Sequence, residues 1–278
     1  MVKNEILLLW FAVGLYALSS CLFLFSLAFN RIRHLKTGIW LAFLGFLPHS
    51  AALGMRWLET GHGPYMRVYE VYSSDVWIAL VMFFVLQLSK PNLRVLGAVV
   101  LPASFLLIGM AVMASPEIRP LPPNFQTFWL IVHIFFAKLA FGSLLIATGF
   151  AFFYLLKRRQ EQQGKVGDFF HKLPDLPVLD ELSYQFTGFG FFMLAIMIVA
   201  GSIWANKAWG RYWGWDAVET WSLITWLVYG IYLHLRRTYG WKEVKASWFS
   251  VLAFAVFVFA IFGIGLFYVS VHSPYISG

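Results

Sequence analysis

Eight apolar runs, each about 20 residues long, follow one another through the chain with only short polar segments between them. They cover residues 5–29, 38–58, 71–88, 95–114, 127–156, 185–204, 218–236 and 248–271. A soluble core could not bury that much apolar side chain: 60% of the residues are hydrophobic and 12% are charged. In hydrocarbon, each backbone N–H and C=O needs a partner within its own segment, which favours helices. The expected fold is an all-α integral membrane protein of about eight transmembrane helices, with residues 1–278 forming a single helical membrane domain. The first run lacks a small-residue cleavage site, so a membrane helix is expected there rather than a removed signal peptide.

The loops alternate in charge. Fourteen Lys and Arg residues fall in one set of loops (around Arg31, Lys90, Lys157 and Arg236), and five in the other set. The richer set belongs in the cytoplasm. That orientation predicts a cytoplasmic loop over 157–184 and both termini on the outer side. It also predicts a tryptophan-rich external loop over 205–219. The net charge of +8 therefore reflects orientation signals set against membrane lipid, and no nucleic-acid partner is expected. The only cysteine is Cys21, so the chain has neither a C-x-x-C pair nor an internal disulfide.

Four of the seven histidines lie in or at the ends of apolar runs, where an ionisable side chain is costly and is a functional candidate by default. His133 is near the outer end of the fifth run and His272 ends the eighth. Both are expected at similar depth. Two imidazoles can grip one iron from opposite sides, so a haem is a natural ligand, although each ring could equally bond a neighbouring helix. His49 and His234 sit deeper, each with a glycine four residues earlier, Gly45 and Gly230. Those glycines either leave room for a flat macrocycle or simply permit close helix packing. A shared iron would require tilt to close the gap between their depths. His62, in the segment GHGPY, is open to either a structural or a functional role.

Between Trp204 and Trp226 lie six of the thirteen tryptophans. Membrane anchors are usually scattered, whereas Trp209, Trp213 and Trp215 crowd one short loop. Such a cluster can cover the face of a porphyrin. Asp216 and Glu219 precede an apolar helix with the spacing of a capping box. Lys207 and Arg211 could meet propionates or remain solvated.

The stretch WANKAWGRYWGWDAVETWSLITWLVYGIYLHLR resembles the tryptophan-rich WWD signature of haem-handling membrane proteins. Its E-T-W continuation and Y-L-H-L-R ending, with PHSAALGMRW and GHGPYMRVYE upstream, resemble the CcsA (ResC) branch of the system II cytochrome c synthase. The resemblance implies that His133 and His272 are the external iron ligands and act directly in the reaction. It further implies that His234, and less distinctly His49, are embedded ligands. Trp209, Trp213, Trp215, Asp216 and Trp221 would hold the haem edge. The implied cofactor is haem b, bound non-covalently in transit. The implied activity is that of a holocytochrome c synthase (haem lyase) component, carrying haem across the membrane and presenting it for thioether attachment to the C-x-x-C-H of apocytochrome c. It implies a CcsB (ResB) type partner, because the large external domain of that protein is absent from this chain. The implied location is the bacterial cytoplasmic membrane or a thylakoid. A transmembrane bis-haem electron-transfer protein would use the same histidines but needs no vinyl-exposing tryptophan platform; a haem exporter, delivering cofactor without chemistry, is the other alternative.

Overall fold

The computed structural model describes residues 2–118 and 120–267. Among them no strand forms, and seven helical segments are long and apolar enough to cross a membrane. The protein is an all-α integral membrane protein. Its helices are α1 (Val2–Ala28), α2 (Leu35–Thr60), α3 (Val68–Ser89), α4 (Gly97–Met113), α5 (Phe128–Gln162), α6 (Asp168–His171), α7 (Leu176–Trp209), α8 (Ala217–Thr238), α9 (Glu243–Val258) and α10 (Ile264–Phe267).

The chain packs as two compact units, Met1–Arg119 with Phe153–Leu179, and Pro120–Phe152 with Asp180–Gly278. In the first, α1 lies against α2 and α4, and α3 against α4. Glycine makes that proximity possible. Phe23 is fully buried, and a Cβ at Gly38 or Gly97 would fall 2.9 Å or 2.3 Å from its ring. At one end of this unit, buried Arg56 gathers three other segments. Its Nε donates to Glu70 Oε1 of α3 at 2.8 Å, and its Nη1 donates to the Pro116 carbonyl at 2.8 Å and lies 3.8 Å from Glu5 Oε2 of α1. Tyr69 OH completes the knot by donating to Glu5 Oε1 at 2.7 Å. Elsewhere in the unit, Lys157 Nζ donates to the carbonyls of Leu173 and Pro174, closing the chain reversal after α5.

In the second unit, serine hydroxyls tie α5 to α7: Ser143 Oγ donates to the Phe186 carbonyl and Ser183 Oγ to the Ala147 carbonyl. Helix α8 packs on α9. It is the expected span that is too polar to qualify on hydropathy, although its 22 residues extend about 33 Å. The reason lies in which face is hidden. Thr225, Tyr229, Tyr232 and Arg236 are its buried residues, whereas Leu227 and Ile231 are about half exposed. The polar face turns inward and the apolar face turns out.

Several helices run past the apolar segments that nucleate them. The expected 157–184 loop shrinks to residues 163–175 with one short turn of helix, because α5 continues to Gln162 and α7 begins at Leu176. The expected 205–219 loop shrinks to Gly210–Asp216 between α7 and α8. Lys, Arg and Gln propagate a helix as readily as apolar residues do, so the hydrogen-bond ladder does not stop where hydropathy falls. The expected 248–271 run begins earlier, at Glu243, and is interrupted by a π-helical turn over Phe259–Gly263. The last residues of that run, His272 among the residues beyond it, lie outside the described residues.

Candidate functional site

The tryptophan loop sits in the second unit, at the end where α5 begins, α7 finishes and α8 starts. Its conformation is dictated by α8. Asp216 caps that helix, its Oδ1 accepting from the Val218 N–H at 3.0 Å. Glu219 closes the expected capping box and reaches further: its Oε2 accepts from Asp216 N–H at 3.2 Å and from Gly214 N–H at 2.7 Å. Between those two amides stands Trp215 with φ +56°, the left-handed region that a bulky L residue avoids. The grip on both flanks holds it there, and the residue is 71% exposed.

Gly210, with φ +72°, turns the chain out of α7. Arg211 then folds back over the loop. Its guanidinium occupies the space where a Gly214 side chain would be, with Nη1 3.9 Å from Glu219 Oε1. Arg211 is therefore built into the loop, while Lys207 is exposed at the end of α7. Trp213 meets Trp215 edge-on, with centroids 5.8 Å apart, and its indole Nε1 is buried without a hydrogen-bond partner among the described residues. Trp209 packs edge-on against Trp204 at 4.8 Å. Trp221 packs at 4.6 Å on Phe259, the first residue of the π turn. Such turns recur at functional sites.

His133 lies at the same end of this unit. Its Nδ1 is 2.8 Å from the Met197 carbonyl, so the ring donates there and a neutral imidazole carries its lone pair on Nε2. That arrangement, one ring N–H on a backbone carbonyl, is how ligating histidines are commonly oriented. The ring lies in a notch in α7: a Cβ at Gly201 would be 2.6 Å from His133 Nδ1. Trp204 stacks nearly parallel at 6.3 Å, and donates its own Nε1–H to the Asn124 carbonyl at 3.1 Å. The structure thus brings His133, Trp204 and Trp209 into one aromatic wall of the unit, and gathers Trp213, Trp215 and Asp216 around Glu219. Glu219's reach to Gly214 and the notch at Gly201 escaped the sequence reading. Glu219 had a signal in its cap spacing, whereas the carbonyl of Met197 had none.

His234 is exposed near the far end of α8, beside a cavity of about 430 Å³ that Tyr184, Gln185, Arg237 and Thr238 also line. Its Nδ1 is 3.3 Å from the Thr238 hydroxyl. The space above Gly230 is filled by Phe191, which stacks on Trp226 at 4.9 Å. His49 is in the first unit, fully buried, with Nδ1 3.1 Å from Tyr16 OH and Nε2 3.0 Å from Ser73 Oγ. Both ring nitrogens therefore have partners, and the ring links α1, α2 and α3. Gly45 serves close packing there: its Cβ would be 2.9 Å from the Tyr16 ring. His62 donates from Nδ1 to the Gly63 carbonyl at 2.7 Å, and its buried Nε2 has no partner among the described residues.

Residues 65–272 match the model of the family described as cytochrome c assembly protein. The cytochrome c biogenesis protein CcsA of Guillardia theta is 34% identical over 268 residues, covering 89% of both chains. CcsA of Parasynechococcus marenigrum is 32% identical, covering 86% of this chain and 87% of that protein. The fold is similar to a solved cytochrome c haem lyase, CcmF, with TM-score 0.70 and 20% identity. The chain spans about half of that protein, 49%, while the match covers all of this chain. This chain belongs to the cytochrome c assembly protein family and functions in cytochrome c biogenesis.

Proposed function

We propose that the chain is the haem-handling membrane component of a system II cytochrome c synthase. It takes haem b as non-covalent cargo, carries it across the membrane and presents it at the tryptophan loop to apocytochrome c. The observation that carries this reading is the His133 ring, held through Nδ1 by the Met197 carbonyl, in a glycine notch beside Trp204. A Cβ at Gly201 would fill that notch, and the orphaned Trp213 Nε1 adds an unspent donor in the loop. Residues of this kind suit a porphyrin and its iron.

In this reading His133 supplies one axial nitrogen from the outer side, and His272 supplies the other. The pairing with His272 rests on the family resemblance. Trp213 and Trp215 form the ledge, Trp209 and Trp221 back it, and Asp216 with Glu219 keeps its backbone rigid. His234, beside its cavity, holds haem nearer the cytoplasmic side. His49 can join as a ligand only on releasing Tyr16 or Ser73, since a ring with both nitrogens hydrogen-bonded has no lone pair to offer.

The thiols come from the apocytochrome, because the one cysteine of this chain, Cys21, lies within α1. Each substrate thiol adds across one vinyl group: a carbon–sulfur bond forms and the thiol proton ends on the neighbouring carbon, with no net oxidation. The histidine of the C-x-x-C-H motif then replaces one axial ligand. The chain contributes by holding the reactants in register, which can supply a large part of a rate enhancement. It acts with a CcsB (ResB) type partner as haem lyase, in the bacterial cytoplasmic membrane or in a thylakoid.

The test is the absorption spectrum of the purified protein with and without His133→Ala and His272→Ala. A six-coordinate low-spin signal should be lost in each variant and restored by added imidazole. Unchanged spectra together with unchanged cytochrome c yield in both variants would refute the assignment.

A further inference from the structure

Helices α7 and α8 run antiparallel where the cavity of about 430 Å³ opens between them, and two contacts fix their register. Arg236 pairs with Asp180 at 2.6 Å, and Trp226 stacks on Phe191 at 4.9 Å. Helical spacing puts Gln185 and Gly188 on one face of α7, and His234, Arg237 and Thr238 on one face of α8, and all five line the cavity. That register grades the cavity from end to end. Arg237 and Thr238 stand nearest the end of α8, His234 lies about one turn further in, and Gly188 is deeper still. A Cβ at Gly188 would meet nothing within 4 Å, so the α7 wall is open backbone at that level. A flat apolar body fits there, and a charged edge fits at the mouth.

The two neighbouring arginines have different fates. Arg236 is buried, salt-bridged to Asp180, with its guanidinium 4.8 Å from the Tyr184 ring centroid. Arg237 is exposed on the cavity rim, and its guanidinium has no ion pair or hydrogen bond among the described residues. Both acids on the adjacent turn of α7 are engaged elsewhere. Asp180 holds Arg236, and Glu181 Oε1 accepts from Gln185 Nε2 at 2.9 Å. The cavity mouth therefore carries an uncompensated planar cation, one turn from an imidazole on the same helix face. A guanidinium matches a carboxylate through two parallel hydrogen bonds.

We propose that Arg237 is the carboxylate-binding residue of the inner haem site, holding the propionate edge of the cargo while the ring lies at His234 against the open backbone of Gly188. This rests on the reading of the chain as a haem carrier. Arg237 belongs to a cation-rich loop that the orientation rule sets in the cytoplasm, so the carboxylates stay at the water-facing end. The vinyl groups, remote from the propionates on the macrocycle, then point along α8 toward the tryptophan loop. The cargo is oriented before it moves outward.

Haem titration of the full chain in neutral phosphatidylcholine nanodiscs tests this, since no anionic headgroup then competes for the guanidinium. A His133→Ala, His272→Ala background silences the outer site, and the Soret change lost on His234→Ala reports the inner one. The probes are haem b and its dimethyl ester, which lacks the carboxylate charge. Arg237→Gln should weaken haem b by about tenfold and leave the ester unchanged. Arg237→Lys should recover part of the loss, and the melting temperature should hold because Arg237 has no partner in the fold. Equal weakening of both probes, or no weakening of haem b, would overturn the carboxylate contact and leave His234 as a ligand. Absence of any Soret change that depends on His234 would remove the inner site itself, and the proposal with it.

Discussion

The Glu219 carboxylate holds Trp215 in a left-handed backbone conformation by accepting from the amides on either side of it, Gly214 at 2.7 Å and Asp216 at 3.2 Å. A residue of α8 thereby sets the direction of an indole four positions earlier in the chain. The loop's shape and the helix's start are one structural event.

Glu219→Ala should uncouple them. The loss of the capping box lowers stability by about 1–2 kcal/mol, and Trp215 relaxes out of the left-handed region. Haem affinity should fall by about tenfold or more, for roughly 1.4 kcal/mol of lost preorganisation. Thermal unfolding and haem titration of the variant check both.

Gly201→Ala probes the notch at His133. A methyl 2.6 Å from Nδ1 must displace the ring and weaken its bond to the Met197 carbonyl. With His133 as the proposed iron ligand, haem affinity should fall by about 10–100-fold, the usual effect of losing a supporting hydrogen bond. Stability should hold, because alanine favours a helix interior over glycine by about 1 kcal/mol. Far-ultraviolet circular dichroism beside haem titration separates the two effects.

Arg56→Ala should damage the first unit. It removes the cation that Glu70 and Glu5 share, and strands two buried carboxylates together with the Pro116 carbonyl. Breaking such a buried pair costs about 3–5 kcal/mol. The variant should accumulate poorly and melt well below the parent in a thermal-shift assay.

His49→Ala distinguishes a bracing role from a ligating one. Loss of its two hydrogen bonds, to Tyr16 and Ser73, should destabilise the unit by about 1–3 kcal/mol. If bracing is its role in the resting protein, Tyr16→Phe should reproduce part of the stability loss without reducing haem content. A drop in haem content with no change in melting temperature would mark it as a ligand instead.

Much of the architecture was legible because hydrophobic run length is a direct physical measure of span. The helix start at Asp216 was legible too, since capping chemistry is local in sequence. Loop lengths were overestimated at 157–184 and 205–219, because a helix continues beyond the apolar stretch that buries it. The dense tryptophans marked the right loop, yet the placement of Arg211 inside that loop, against Gly214 and Glu219, depends on a chain reversal at Gly210 that spacing alone does not give.

Composition and the order of apolar and polar segments determined that this protein is a helical membrane bundle with an indole-rich loop, for apolar length and cap spacing act along the chain. Only the tertiary structure decided which atoms meet. It placed Met197's carbonyl on His133, closed both nitrogens of His49 and turned the polar face of α8 inward. Those outcomes follow from helix rotation and packing, where a turn of one residue about the axis changes every neighbour while leaving the hydropathy pattern the same.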